Sequence, residues 1–165
     1  MTRPRQFERR LRSKSLSFAQ QQGRVWRLGF LSLSSLSEST QNTTAFMKGL
    51  RDLGYIEGKN LVVEWRFADG SFERLTGQAL ELVQLRVDVI VAVASAAIGA
   101  AKQATSAIPI VMATTGDPVG SGFVKSLARP GGNITGLSYG WRYRRQAARF
   151  ALHCAAQRVP RRGAG

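Results

Sequence analysis

Two runs of branched apolar residues, VDVIVAVA at 87–94 and IPIVMA at 108–113, constrain the fold more than any other part of the chain. Each breaks into a loop of small and polar residues that opens a segment of helical composition, and a third strand-like piece, ITGLS, follows at 134–138. Short runs without polar alternation are buried on both faces, and strands separated by about ten residues of helix lie parallel in one sheet. The expected fold class is α/β, a doubly wound parallel sheet. Such a sheet delivers its strand-to-helix loops to one edge, where ligands bind.

Upstream, VWRLGFL at 25–31 reads as the first strand, and the hydroxyl-rich SLSSLSESTQNTT that follows reads as a loop. A helix is predicted from about Thr43 to Leu53, with Phe46, Leu50 and Leu53 on one face and Gly54 as its stop. LVVEWRF at 61–67 alternates: Leu61, Val63, Trp65 and Phe67 face one way, Glu64 and Arg66 the other. In an otherwise continuously apolar sheet, alternation marks the edge strand. Ser71 is the expected N-cap of a helix reaching about Leu85, with Phe72, Leu75, Ala79, Leu82 and Val83 facing the core. Further helices are predicted from Ala96 to Thr105 and from Ser121 to Ala128, the latter ended by Arg129-Pro130. Pro109 belongs at the start of the fourth strand, before its missing N–H matters to the ladder. Right-handed crossovers then make the strand order 2-1-3-4-5.

A chain of 165 residues suits one domain, but its net charge of +14 is not spread over that domain. Residues 1–24 carry seven Lys/Arg and one acid, 25–140 carry ten and nine, and 141–165 carry seven and none. The excess lies in two basic flanks, which read as solvated segments, so no specific nucleic-acid partner is expected. Cys154 is the only cysteine and its neighbour His153 the only histidine, which excludes an internal disulfide and makes no metal site. The middle of the chain therefore lacks the residues of most nucleophile–base mechanisms, and no enzyme is expected. No G-x-G-x-x-G follows the first strand and no G-K-[ST] occurs, so no cofactor is expected. Nothing approaches the roughly 18 consecutive apolar residues of a membrane span, and residues 1–18 lack the apolar core of a secretory signal.

The candidate binding residues lie where the first, third and fourth strands end: Ser32, Ser34 and Ser35; Ser95; and Thr114, Thr115 and Asp117. Hydroxyls and helix N-terminal N–H groups converging there suit an anion or carboxylate. Each residue also has a plainer reading. Ser95 and Ser121 could cap helices, the first serines could form turns, and Asp117 could fold back as an Asx turn. Asp88 and Glu81 read as surface charges rather than an acid–base pair, and Trp26 and Trp65 as packing residues.

GLRDLGYIEGKNLVVEWRFADG (49–70), the run from Val87 to Val111, IPIVMATTGDPVGSG (108–122) and ARPGGNITGLS (128–138) resemble a bacterial family of ABC-transporter substrate-binding proteins, the one that includes tryptophan/tyrosine-type uptake proteins. The resemblance implies one lobe of a two-lobed, type I periplasmic-binding-protein-like fold, a small-molecule solute, an ABC permease as partner, and a periplasmic setting. It also implies that Ser32, Ser34, Ser95, Ala96, Thr115 and Asp117 line one wall of the ligand cleft. Three segments are expected: a basic N-terminal stretch at 1–24, the lobe at 25–140, and a basic tail at 141–165 where the family continues into a second lobe. The 141–165 tail, and with it residues 1–18, is expected to come from an altered reading frame or truncated gene, and the absent signal core implies retention in the cytoplasm. A cytoplasmic ligand sensor and a flavodoxin-like domain are the alternatives.

Overall fold

Among the described residues five strands form in chain order: β1 (Trp26–Ser32), β2 (Leu61–Phe67), β3 (Val89–Val93), β4 (Ile110–Thr114) and β5 (Ile134–Gly136). Every pairing is parallel and the spatial order is β2-β1-β3-β4-β5, as the run pattern predicts. The computed structural model describes residues 23–126 and 131–136. Residues 1–22 of the first basic flank, the whole of the second with His153 and Cys154, and the expected strand end at 137–138 lie outside that range.

Among the described residues three helices cover the sheet: α1 (Leu36–Asp52) on one face, α2 (Phe72–Gln84) and α3 (Ala94–Ala104) on the other. Under α2 and α3 the core contains Leu31, Leu75, Leu82, Ile90, Ile98 and Ile110, all buried. Under α1 it contains Leu28, Phe30, Phe46, Leu50, Val91 and Val111. Each buried aliphatic side chain of this kind contributes about 1.5–3 kcal/mol through removal from water. The alternation in β2 is confirmed: Leu61 and Val63 are buried, and Trp65 stacks on Phe67 at 6.1 Å and lies 4.9 Å from Phe30. On the opposite face Arg66 bonds Glu81 of α2 at 2.8 Å, so Glu81 has a surface ion-pair role. Asp88 accepts the Arg27 backbone N–H at 2.8 Å and pairs with Arg24, tying the chain entering β1 to the chain entering β3.

The structure corrects several helix expectations. α1 begins at Leu36 rather than Thr43, because Ser35 and Glu38 form a capping box: Glu38 N–H donates to Ser35 Oγ at 3.4 Å and Ser35 N–H to Glu38 Oε2 at 3.1 Å. Leu53 is 40 % exposed rather than core-facing, since it occupies the C-cap. Beyond it Gly54 (φ 87) donates to the Arg51 carbonyl and Tyr55 to that of Leu50, a Schellman closure that satisfies two orphan carbonyls. Ser71 caps α2 as expected, but Phe72 is 66 % exposed, because the first helical residue precedes the turn that meets the core.

No helix forms over residues 121–126. Asp117-Pro118 starts a pair of turns in which Phe123 and Val124 both donate to the Pro118 carbonyl. Gly122 then takes a left-handed conformation (φ 68) that ends the helical path. Residues 127–130, including the expected stop at Arg129-Pro130, lie outside the described range.

Candidate functional site at the carboxyl edge of the sheet

Parallel pairing sets the last residues of the strands side by side. Ser32 pairs with Val93, and Val93 with Thr114, in one row across β1, β3 and β4. The loops after Ser32, Val93 and Thr114 therefore open on the same rim, as the sequence requires of a ligand-binding edge.

The candidates divide into those turned inward and those left open. Ser32 is buried, and its Oγ accepts the Ser34 N–H at 3.3 Å, so its hydroxyl shapes the first turn. Ser34 is exposed one residue before the Ser35 cap of α1. Ser95 is exposed in the first turn of α3 and Ala96 half-buried beside it. Thr115 is buried, and its Oγ1 lies 3.2 Å from Ser95 Oγ, joining the β3 and β4 loops.

Ser95 does not cap α3. The N-cap is Val93, whose side chain has no oxygen to give, so no side chain caps the first turn of this helix. The entry to α3 is also bent: the β3–β4 register shifts between Ala92 and Val93, and Ala94 adopts φ 70, a region an alanine rarely occupies. In that first turn the Ser95 hydroxyl meets the Thr115 hydroxyl of the β4 loop. An uncapped first turn beside a hydroxyl pair can hold an anion, because aligned backbone N–H groups carry partial positive charge.

Asp117 is exposed and folds back on its own loop, its Oδ1 accepting from Gly120 N–H at 2.8 Å and Val119 N–H at 3.2 Å. That is the Asx turn of the plainer reading. Oδ2 takes no part in those two bonds and lies against Gly120, where an added methyl would meet it.

The structure adds groups that the sequence pattern did not single out. Leu33, Ser34, Ser35 and Glu38 form a shallow cavity of about 330 Å³ with Asp69 and Gly70 from the β2–α2 turn. Asp69 holds φ 49 and bonds Arg74 at 2.9 Å. The signal that could have placed Asp69 here was its position directly after a parallel strand. A larger groove of about 740 Å³ runs along the flank between α1 and β2, over Met47, Trp65 and Phe67. Only its end at Leu36 and Phe67 reaches the rim. Among the described residues no group of three acidic, His or Cys side chains could hold a metal ion, and no helix is long and apolar enough to cross a membrane.

A parallel α/β lobe with an open, hydroxyl-bearing carboxyl edge defines one wall of a periplasmic-binding-protein-like fold. Residues 30–147 match the family model of the ABC transporter substrate binding proteins, and the chain belongs to that family. It is similar to the tyrosine-binding protein of Clostridioides difficile (strain R20291), 39% identical over 93 residues, which are 56% of this chain and 27% of the relative. Among solved structures it resembles the ligand-free, open form of a substrate binding protein with adhesive properties from Clostridium difficile (TM-score 0.65, 30% identity), covering 69% of this chain and 39% of that one. It also resembles a Streptococcus pneumonia ABC domain in complex with L-Trp (TM-score 0.65, 28% identity), covering 69% of this chain and 38% of the other. The chain thus spans well under half the length of these relatives.

Proposed function

We propose that the chain supplies one wall of a solute site in an ABC import system, and that the solute is a small molecule of amino-acid type bound through its carboxylate. The observation that carries this reading is the rim itself: an uncapped α3 first turn beside the Ser95–Thr115 hydroxyl pair, the two held 3.2 Å apart. The family membership and the relatives that bind tyrosine or hold L-Trp support an aromatic amino acid. In this reading Ser34, Ser95, the Ala96 amide and Thr115 receive the carboxylate end, Ser32 holds the first turn in shape, and Asp117 meets the ammonium. Binding is noncovalent and calls for no catalytic group. The partners are the solute and an ABC permease, and the setting in which the family's work is done is outside the cytoplasmic membrane.

A small-molecule site usually buries about 70–90% of its ligand, which takes walls on both sides. The described lobe offers one wall, and in this reading that wall alone binds weakly. Titration of the isotope-labelled chain with L-tryptophan and L-tyrosine tests this by amide chemical shift. The expected result is a dissociation constant weaker than about 0.1 mM, an affinity below about 5.5 kcal/mol, with shifts centred on Ser34, Ser95, Ala96 and Thr115. Shifts confined to the Trp65 groove, or none at all, would overturn the site.

A further inference from the structure

Among the described residues β2 is an edge strand of the sheet, and the groove of about 740 Å³ lies between it and α1. Thr44, Met47, Lys48 and Arg51 recur at i, i+3, i+4 and i+7, so one stripe of α1 forms the helix side of that groove. Trp65 and Phe67 supply the strand side, their rings nearly parallel with 8° between planes. Both rings and Met47 are only half-buried, which leaves an apolar floor open to solvent. A cavity of this size falls in the range of small-molecule sites, about 300–1,000 Å³. Its border is charged. Lys48 and Arg51 are exposed neighbours on one helix face, and the ion pairs among the described residues leave both out. Asp52 borders the groove as well, so two cations stand there against one anion.

The strand edge argues against an extended guest. Asn60 accepts from the Trp26 N–H and Ala68 donates to the Ser32 carbonyl, so the even-numbered residues of this segment bond β1 and the odd-numbered ones turn their backbone groups outward. Such an outward row is a template for another strand unless it is blunted. Here it is blunted: the Leu61 carbonyl accepts the Gly58 N–H at 3.0 Å, that of Trp65 accepts Arg66 Nη1 at 2.9 Å, and that of Phe67 accepts Gln78 Nε2 at 3.0 Å. The groove is therefore shaped for a compact guest with a hydrocarbon body and a negative charge. We propose that it is a second ligand site, separate from the rim, for a small amphiphilic carboxylate. The hydrocarbon lies on Met47, Trp65 and Phe67, and the carboxylate meets Lys48 and Arg51. Burial of the apolar body supplies the affinity and the two cations set the preference for negative charge. A free amino acid is disfavoured, because its ammonium would face the same cations, so the groove and the rim take different chemistry.

The test titrates the isotope-labelled full chain with phenylbutyrate and with phenylbutyramide, its uncharged counterpart. The signals followed are the amides of Met47, Lys48 and Arg51 and the indole N–H of Trp65. Both ligands are expected to shift them, the carboxylate binding at least about threefold more tightly, because exposed charge contacts are individually weak but two act together. That preference is expected to shrink in about 0.5 M salt. The double variant Lys48→Gln, Arg51→Gln is expected to bind the two ligands equally. Its Ser95 and Thr115 amides are expected to respond to L-tryptophan as those of the unsubstituted chain do, whatever that response is, so failure at the groove and failure at the rim are distinguishable. Three results overturn the proposal: no shift at the groove, equal affinity for the two ligands in the unsubstituted chain, or a preference that survives the double substitution. Groove signals that move on dilution of the ligand-free chain assign the groove to a second copy, and tighter binding of an acidic Glu-Leu hexapeptide assigns it to an extended partner. Either overturns it too.

Discussion

Ser95 Oγ and Thr115 Oγ1 sit 3.2 Å apart, a hydroxyl pair bridging the loops that leave β3 and β4. Thr115 is buried, so its hydroxyl depends on this partner or on a ligand oxygen. Replacing it with valine keeps the shape and removes the donor. A hydrogen bond to a charged group contributes about 1.5–3 kcal/mol. Thr115→Val is therefore expected to weaken the amino-acid response about tenfold or more in the same amide-shift titration, while Thr115→Ser retains it.

Asp117 has two separable duties. Its Oδ1 organises the loop through the Val119 and Gly120 amides, and its charge is available to a ligand ammonium. Asp117→Asn preserves the acceptor and removes the charge, whereas Asp117→Ala removes both. If the carboxylate meets the ammonium, the asparagine variant loses affinity for the amino acid while the amide shifts of Val119 and Gly120 stay in place. Retained affinity in Asp117→Asn would leave the residue a loop-shaping role alone.

The capping box at the start of α1 makes a stability prediction. Ser35→Ala removes the acceptor of the Glu38 N–H, and losses of this kind cost about 1 kcal/mol, within about 0.5–2. Urea unfolding should show a lower midpoint with an unchanged slope. Glu38→Ala should give a smaller loss, since it removes the reciprocal bond to the Ser35 N–H.

The sheet was legible in the sequence because its signal is long-range and redundant: unbroken apolar runs, one alternating strand, and helices between them. Phe46 and Leu50 lay on the expected face of α1 for the same reason. Its first turns were not legible by composition, since Ser, Thr and Asn each favour turns individually. The Ser35-x-x-Glu38 spacing held the answer that composition hid. At the site, the meeting of the three loops follows from parallel topology and was readable. The division of labour was not: whether Ser95 caps α3 depends on a register shift and a left-handed Ala94, and neither leaves a mark in residue type. Asp117 took the Asx turn because Gly120 sits where a side chain would collide with its carboxylate.

Gly136 closes the β4–β5 pairing in a conformation (φ 136) that other residues rarely adopt. A methyl group there would press on the Met112 carbonyl oxygen and lie 3.0 Å from the Met112 Cα, and backbone atoms in a paired strand have little freedom to yield. Gly136→Ala should cost about 1–3 kcal/mol through the forced backbone alone. Gly99, with nothing within 4 Å of an added methyl and an ordinary helical backbone, is the control. Gly99→Ala should stabilise the chain by a few tenths to about 1 kcal/mol through helix propensity. Paired thermal denaturation curves of the two variants check both signs.

Tyr55 makes the chain's stability depend on alkaline pH in a definite direction. Burial of its ring at the end of α1 raises the phenol above its ordinary 10.0. The folded chain therefore keeps this proton at a pH where the unfolded chain has lost it, so unfolding releases a proton in alkaline solution. The sign follows: below the unfolded value of 10.0 the group adds no pH dependence, and stability falls as pH rises from there through the folded value. Tyr55→Phe removes this fall while keeping the ring against its neighbours. Urea midpoints compared at about pH 9 and about pH 11 should converge for Tyr55→Phe more closely than for the unsubstituted chain. Tyr139 and Tyr143 are present in both proteins, so the difference between the two slopes isolates Tyr55. Equal slopes would mean that the phenol is hydrated in the folded lobe.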